Sequence, residues 1–361
     1  MTIPLLESTI AAIAPLDTAA MLEARLRQDR LTKPLGALGR LEALSIQLAG
    51  ITGRVKPDLA RKAVVVCAAD HGVAAQGVSA YPQAVTAQMV LNFLGGGAAI
   101  NVLARHAGAR LVVADVGVAA ALPAHPELLS RRIGPGTADF TTGPAMSRSQ
   151  AETALATGIE IVAAEVGRGL DLVATGEMGI ANTTASSALI AVFTGETPET
   201  VTGRGTGVTN EVWRHKVDVI RRGLALHAPD PRDPIGVLAS LGGFEIGALA
   251  GVILGASAHR VPVVLDGFIS GAAGVVAAAI QPLVREYCIA SHRSVEQGHR
   301  AALAWLGLEP LLDLNLRLGE GTGAVLAFPI IEASAKLLAE MATFDGAGVS
   351  EATGTPPTAG E

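Results

Sequence analysis

Four apolar runs set the fold: AVVVCAAD at 63–70, RLVVADVG at 110–117, LDLVATGEMG at 170–179 and VPVVLDG at 261–267. Each is continuously apolar and rich in β-branched residues. Each leads into a stretch with helical spacing. A strand that is apolar on both faces must be covered on both faces, and strands alternating with helices supply that cover in a parallel sheet. A fifth run, REYCIAS at 285–291, fits the pattern less clearly. Asp70, Asp115, Glu177 and Asp266 stand at or near the carboxyl ends of these runs, the edge at which open α/β sheets bind ligands.

The flanking segments read differently. Residues 18–50 carry two helical patterns separated by Lys33-Pro34 and Gly36, and a last apolar helix is expected over about 324–343. We therefore expect an α/β protein with a Rossmann-like parallel sheet flanked by helices over 61–294. A smaller helical domain is built from residues 1–60 plus 295–345, and the Gly/Pro/Thr-rich 346–361 form a mobile tail.

Composition narrows the function. A net charge of −6, no Lys/Arg block and 3% aromatic residues leave no basic stripe or stacking platform for nucleic acid. Mean hydropathy is high at +0.43, but the longest uncharged apolar runs, 246–258 and 267–280, fall short of the roughly 20 residues that span a bilayer. They read as buried helices. Cys67 and Cys288 are isolated in apolar runs and are expected to be reduced core thiols. With no basic, apolar and cleavable leader pattern at the N-terminus, the expected location is the cytoplasm. Small molecules are the expected partners.

Three glycine-rich constellations can carry chemistry. Gly203-Arg204-Gly205-Thr206-Gly207 precedes a helical pattern, so its N–H groups can meet a phosphate, or the run is only a tight connection. Lys216 lies on that helix, either near the same anion or in solvent. Gly319-Glu320-Gly321-Thr322-Gly323 sets a carboxylate among glycines before the last helix. Apolar neighbours would raise its pKa and make it a base near neutrality, or it is a helix-N-terminal Glu favoured by the dipole. Gly176-Glu177-Met178-Gly179-Ile180-Ala181-Asn182-Thr183 ends a strand and opens a helix, which Asn182 or Thr183 is placed to cap. Glu177 can accept from a ribose or ring N–H, and Met178 offers a soft contact to an aromatic ring. Asp70-His71-Gly72 lacks partners at metal-ligand spacing, and no dinucleotide fingerprint, Walker A or nucleophile-elbow sequence occurs.

Taken together, LTKPLGALGRLE (31–42), AADHGV (68–73), GVSAYPQAVTAQMVLNF (77–93), TGEMGIANTT (175–184), GRGTG (203–207), LDGFISGAA (265–273), SHRSVEQGH (291–299) and LRLGEGTGA (316–324) resemble the nicotinate-nucleotide:dimethylbenzimidazole phosphoribosyltransferase family of cobalamin biosynthesis. The blocks run in order over about 30–345. Leu35 departs from the proline expected there. The resemblance implies transfer of 5-phosphoribosyl from nicotinate mononucleotide to 5,6-dimethylbenzimidazole, with inversion at the anomeric carbon. It implies Glu320 as the base, Glu177 and Lys216 as orienting groups, and Tyr81, Gln88, Met178 and Leu318 as contacts to the flat base. Phosphate and ribose contacts fall to Asn182, Thr183, Gly203, Arg204, Gly205, Gly207, Ser291, Gly321, Thr322 and Gly323. It implies a homodimer and, because the leaving group is not pyrophosphate, no cofactor or metal.

Overall fold

A computed structural model describes residues 2–205 and 207–350. The chain divides into two compact units, residues 1–14 with 61–327 and residues 15–60 with 328–361.

Among the described residues, the larger unit is built on six strands: β1 Lys62–Ala69, β2 Ala109–Gly117, β3 Leu128–Ser130, β4 Leu172–Met178, β5 Val263–Leu265 and β6 Cys288–Ala290. Their order is β3-β2-β1-β4-β5-β6, and every neighbouring pair is parallel. The chain reverses its direction of winding between β1 and β4, which opens a crevice at their carboxyl ends. All eight residues of β1 are buried, as continuous apolar character requires of a strand covered on both faces.

The helix Phe244–Ala258, buried along its length, packs on the helix Arg148–Gly167. Contact is backbone to backbone: a Cβ on Gly158 would lie 1.8 Å from the Ala248 carbonyl oxygen, and one on Gly251 would lie 1.9 Å from that of Leu155. The expected buried helices 246–258 and 267–280 are observed as Phe244–Ala258 and Phe268–Ile280.

Three details differ from expectation. The run 285–291 is half helix, Val284–Tyr287, with only Cys288–Ala290 in the sheet; the Tyr287 hydroxyl is drawn aside to donate to the Ala14 carbonyl at 2.7 Å. The three-residue strand β3 was not expected. Residues 1–14 and 295–327 belong to the larger unit, because the helix Thr2–Ala12 packs on Arg148–Gly167 and Gln297–Leu306 packs on Phe268–Ile280.

In the smaller unit the helices Thr18–Arg30 and Arg40–Thr52 pair around Ala24, Ala49 and Leu338. Arg27 ties this unit together by donating to the carbonyls of Leu338, Ala339 and Met341. Among the described residues, two helical stretches have the length and composition of a bilayer span, Val85–Ala107 and Thr322–Glu340. The first is two helices parted at Gly95-Gly96-Gly97, and the second contains Pro329, Glu332 and Lys336 and is more than half buried in the protein. Of the expected tail 346–361, residues 351–361 lie outside the described residues; Gly346 and Ala347 end the short helix Phe344–Ala347, and 348–350 follow it.

Candidate active site

Beyond the carboxyl end of β4 the chain passes through Gly179 and Ile180 to Ala181, whose φ of 75° turns it into the helix Asn182–Thr194. Neither Asn182 nor Thr183 caps this helix, contrary to the sequence expectation. Their side chains are taken by charged groups: Asn182 Nδ2 donates to Glu177 Oε2, and Lys216 Nζ donates to Thr183 Oγ1 at 2.7 Å. Burial pushes Glu177 up to about 8, helped by the charges of Asp266, Glu245 and Glu320 and opposed by Asn182. Lys216 is buried rather than solvated, and burial holds it down to about 8, with the Glu296 charge pulling the other way.

Glu320 sits across from β4 in a loop where Gly319, Glu320 and Gly321 have φ of 84°, 63° and 92°. Left-handed backbone at a glutamate costs free energy, so other contacts must hold it. Asp266, at the end of β5, accepts from the N–H groups of Gly321 and Ala324, both at 3.0 Å. The loop also lies tight on β4: a Cβ on Gly176 would stand 2.4 Å from the Glu320 carbonyl oxygen. The Glu320 carboxylate is itself buried, accepting at Oε2 from the Ile100 N–H at 3.2 Å. Burial raises its pKa, and that one N–H opposes the rise.

These groups face a cavity of about 390 Å³. Val85, Met89, Met178, Ile180 and Phe268 supply apolar wall, Glu177 and Glu320 the carboxylates, and Tyr81 and Leu318 a rim, each more than half exposed. Next to it a second cavity of about 640 Å³ is lined by Arg204, Arg214, Arg317, Asn210, Gly205 and Gly207. Gly205, Glu296 and Arg317 line both.

The expected site residues therefore divide. Glu320, Glu177, Asn182, Thr183, Tyr81, Met178 and Leu318 line the first cavity, Arg204, Gly203, Gly205 and Gly207 line the second, and Lys216 stands behind Thr183. Gln88 does not line the cavity: it is exposed, and Val85 and Met89 line the wall from that helix. Gly321, Thr322 and Gly323 are buried beneath the loop with their polar groups committed. Gly321 donates to Asp266, the Thr322 hydroxyl donates to the Gly319 carbonyl at 2.8 Å, and a Cβ on Gly323 would meet the His292 ring at 1.9 Å. Ser291 is buried, bonded to the Asp266 carbonyl and the His292 ring. The expected helix after the 203–207 run is Asn210–His227, and its cap is Thr209.

Of the strand-end acids, only Glu177 lines a cavity. Asp115 accepts from the N–H groups of Gly117 and Val118, Asp70 from Ala119, and Asp266 from the Glu320 loop. Glu296, Arg317 and Val85 were missed because none stands in a glycine turn or at a strand end, and Phe268 because its run, 267–280, read as a buried helix. The sequence signal nearest to them was block membership, which carries no direction.

A parallel sheet with an apolar cavity and an arginine-lined one joined at its switch point is the architecture of an enzyme that handles a phosphorylated nucleoside. A family model described as phosphoribosyltransferase matches residues 13–349. The nicotinate-nucleotide–dimethylbenzimidazole phosphoribosyltransferase of Roseiflexus sp. (strain RS-1) is 62% identical over 346 residues, 96% of this chain and 98% of the relative. That of Chloroflexus aggregans is 62% identical over 347 residues, with 96% and 98% covered. The crystal structure of the Thermus thermophilus enzyme of that name superposes with a TM-score of 0.89 at 50% identity, covering 93% of this chain and all of the other. The chain belongs to the nicotinate-nucleotide–dimethylbenzimidazole phosphoribosyltransferase family.

Proposed function

We propose that the protein transfers 5-phosphoribosyl from nicotinate mononucleotide to 5,6-dimethylbenzimidazole, giving α-ribazole 5′-phosphate and nicotinate, in assembly of the cobalamin lower-ligand nucleotide loop. The observation that carries this reading is Glu320, a buried carboxylate of raised pKa on the wall of a largely apolar cavity. One benzimidazole nitrogen attacks C1′ of the ribose. The C1′–N bond to the pyridinium breaks with inversion, its electron pair leaves with nicotinate, and no general acid is needed. Bond formation acidifies the other benzimidazole N–H, and Glu320 takes that proton.

Glu177, with its high pKa, orients the bases by hydrogen bonding, and Lys216 through Thr183 adds positive charge beside the nucleotide. Met178, Ile180, Met89 and Phe268 hold the benzimidazole, with Tyr81 and Leu318 over its edge. The phosphate belongs in the second cavity, with Arg204, Gly205 and Gly207. Gly321, Thr322, Gly323 and Ser291 act at one remove, by fixing the loop that presents Glu320. The enzyme works in the cytoplasm without a membrane span, consistent with two buried free thiols, and as a homodimer.

Product analysis tests the reaction. Mixed with nicotinate mononucleotide and a panel of aromatic bases, the protein is expected to release nicotinate in equal amount to an α-linked ribazole phosphate, fastest with dimethylbenzimidazole. Binding without nicotinate release would reduce it to a nucleotide sensor.

A further inference from the structure

Glu296 lies where the two cavities meet and lines both. It is 7% exposed, and its Oε2 atom is buried without a hydrogen-bond partner. A buried carboxylate oxygen left unpaired is costly, so a donor from outside the chain is the natural complement. Gly203 makes room for the carboxylate: a Cβ there would stand 1.8 Å from that oxygen. Burial raises the pKa of Glu296, and the charges of Lys216 and Arg317 and an N–H from Gly205 oppose the rise, while Arg317 also donates to the Gly205 carbonyl at 3.2 Å.

A nucleotide that puts its base among Met178, Phe268 and Leu318 and its phosphate by Arg204 must pass its ribose between them. Among the described residues, Gly205, Glu296 and Arg317 are common to both cavities. Of these, Glu296 alone offers a side-chain acceptor, and a ribose diol offers only hydroxyl donors to such a group. We propose that Glu296 accepts a hydrogen bond from the ribose 2′- or 3′-hydroxyl and is the residue by which the enzyme prefers ribosyl over deoxyribosyl donors. This rests on the function proposed above. The pairing follows the general use of acidic side chains to read ribose hydroxyls.

Steady-state kinetics with nicotinate mononucleotide and its 2′-deoxy and 3′-deoxy analogues test it. A hydrogen bond to a charged group corresponds to a preference of about 10- to 150-fold in kcat/KM. Wild-type enzyme is expected to show that preference against one analogue, and Glu296→Gln to lose most of it by falling on the ribosyl donor while leaving the deoxy donor nearly unchanged. Gly203→Ala, which drives a methyl into the carboxylate, should copy the effect from a neighbouring position. An equal fall on all donors would assign Glu296 a purely structural role beside Lys216 and overturn the proposal, as would unchanged selectivity. Calorimetric binding of ribose 5-phosphate against 2- and 3-deoxyribose 5-phosphate separates this from the reaction itself. If wild-type protein turns nothing over but favours the full diol, with Glu296→Gln abolishing that preference, the reaction fails and Glu296 stands. A wild-type protein blind to both hydroxyls refutes Glu296 whatever the reaction.

Discussion

A carboxylate in water is a poor base at neutral pH because its pKa lies near 4, and Glu320 escapes that limit through burial, which raises its pKa against the single opposing N–H of Ile100. Glu320→Gln keeps the shape and should leave donor binding intact while lowering kcat by about 10² to 10⁴, the usual contribution of a general base. In wild type, kcat should rise with pH through the raised pKa, since only the ionised form accepts the proton, and the variant should lose that limb. Near-wild-type turnover in Glu320→Gln would remove the residue from the chemistry. Glu320 and Glu177 were legible in the sequence because an acid beside glycines at an element boundary has few structural reasons to be there. Glu296 was not. Its significance lies in an unpaired oxygen and a cavity junction, and neither has a signature in local sequence.

The elements explain why so many glycines surround the site, and here the sequence misleads in an instructive way. Glycines at 319–323 read as room for a ligand, yet the space they leave is filled by the protein: Glu177 against Gly319, Val64 against Gly321, His292 against Gly323. Strands β1, β2, β4 and β5 were legible because both-face burial leaves continuous apolar runs, whereas β3 has three residues and β6 shares its run with a helical turn. What a single sequence cannot give is the distance between β4 and the loop before the last helix, more than 140 positions later. That contact is where a substitution should be most informative. Gly176→Ala puts a methyl 2.4 Å from the Glu320 carbonyl oxygen, with backbone on both sides and no flexible side chain to give way. The loop must shift, and a displacement of about 1 Å at a reacting group can cost about 10² in rate. We expect Gly176→Ala to lower kcat by roughly 10- to 100-fold with little change in the KM for nicotinate mononucleotide. An equal loss in both would mean that the cavity, and not the base, had moved.

Across the whole molecule, the same burial that makes the site basic should make the folded protein sensitive to alkali. Burial raises Glu177 from 4.5 to about 8 and Asp266 from 3.8 to about 7, and it raises Asp70, Asp115, Glu296 and Glu320 as well. A carboxyl with a higher pKa folded than unfolded takes up a proton on folding anywhere between the two values, so its contribution to stability falls as pH rises through that window. His292 and His299 oppose this. Burial holds them at about 4 and about 3 against an unfolded value of 6.5, so folding expels their protons and stability climbs with pH, but only up to 6.5. Above 6.5 the carboxyls act unopposed until about pH 8, where Lys216, held down to about 8 from 10.5, begins to restore the slope. Substrate-free protein should therefore lose stability between pH 6.5 and 8. Denaturant unfolding of the full chain at several pH values measures it. Glu177→Gln keeps a partner for Asn182 and removes one of the protons taken up, so it should flatten the decline and gain on the order of 1–3 kcal/mol over wild type near pH 8. A wild-type stability that is level or rising across that interval would show that these carboxyls are not protonated in the folded protein.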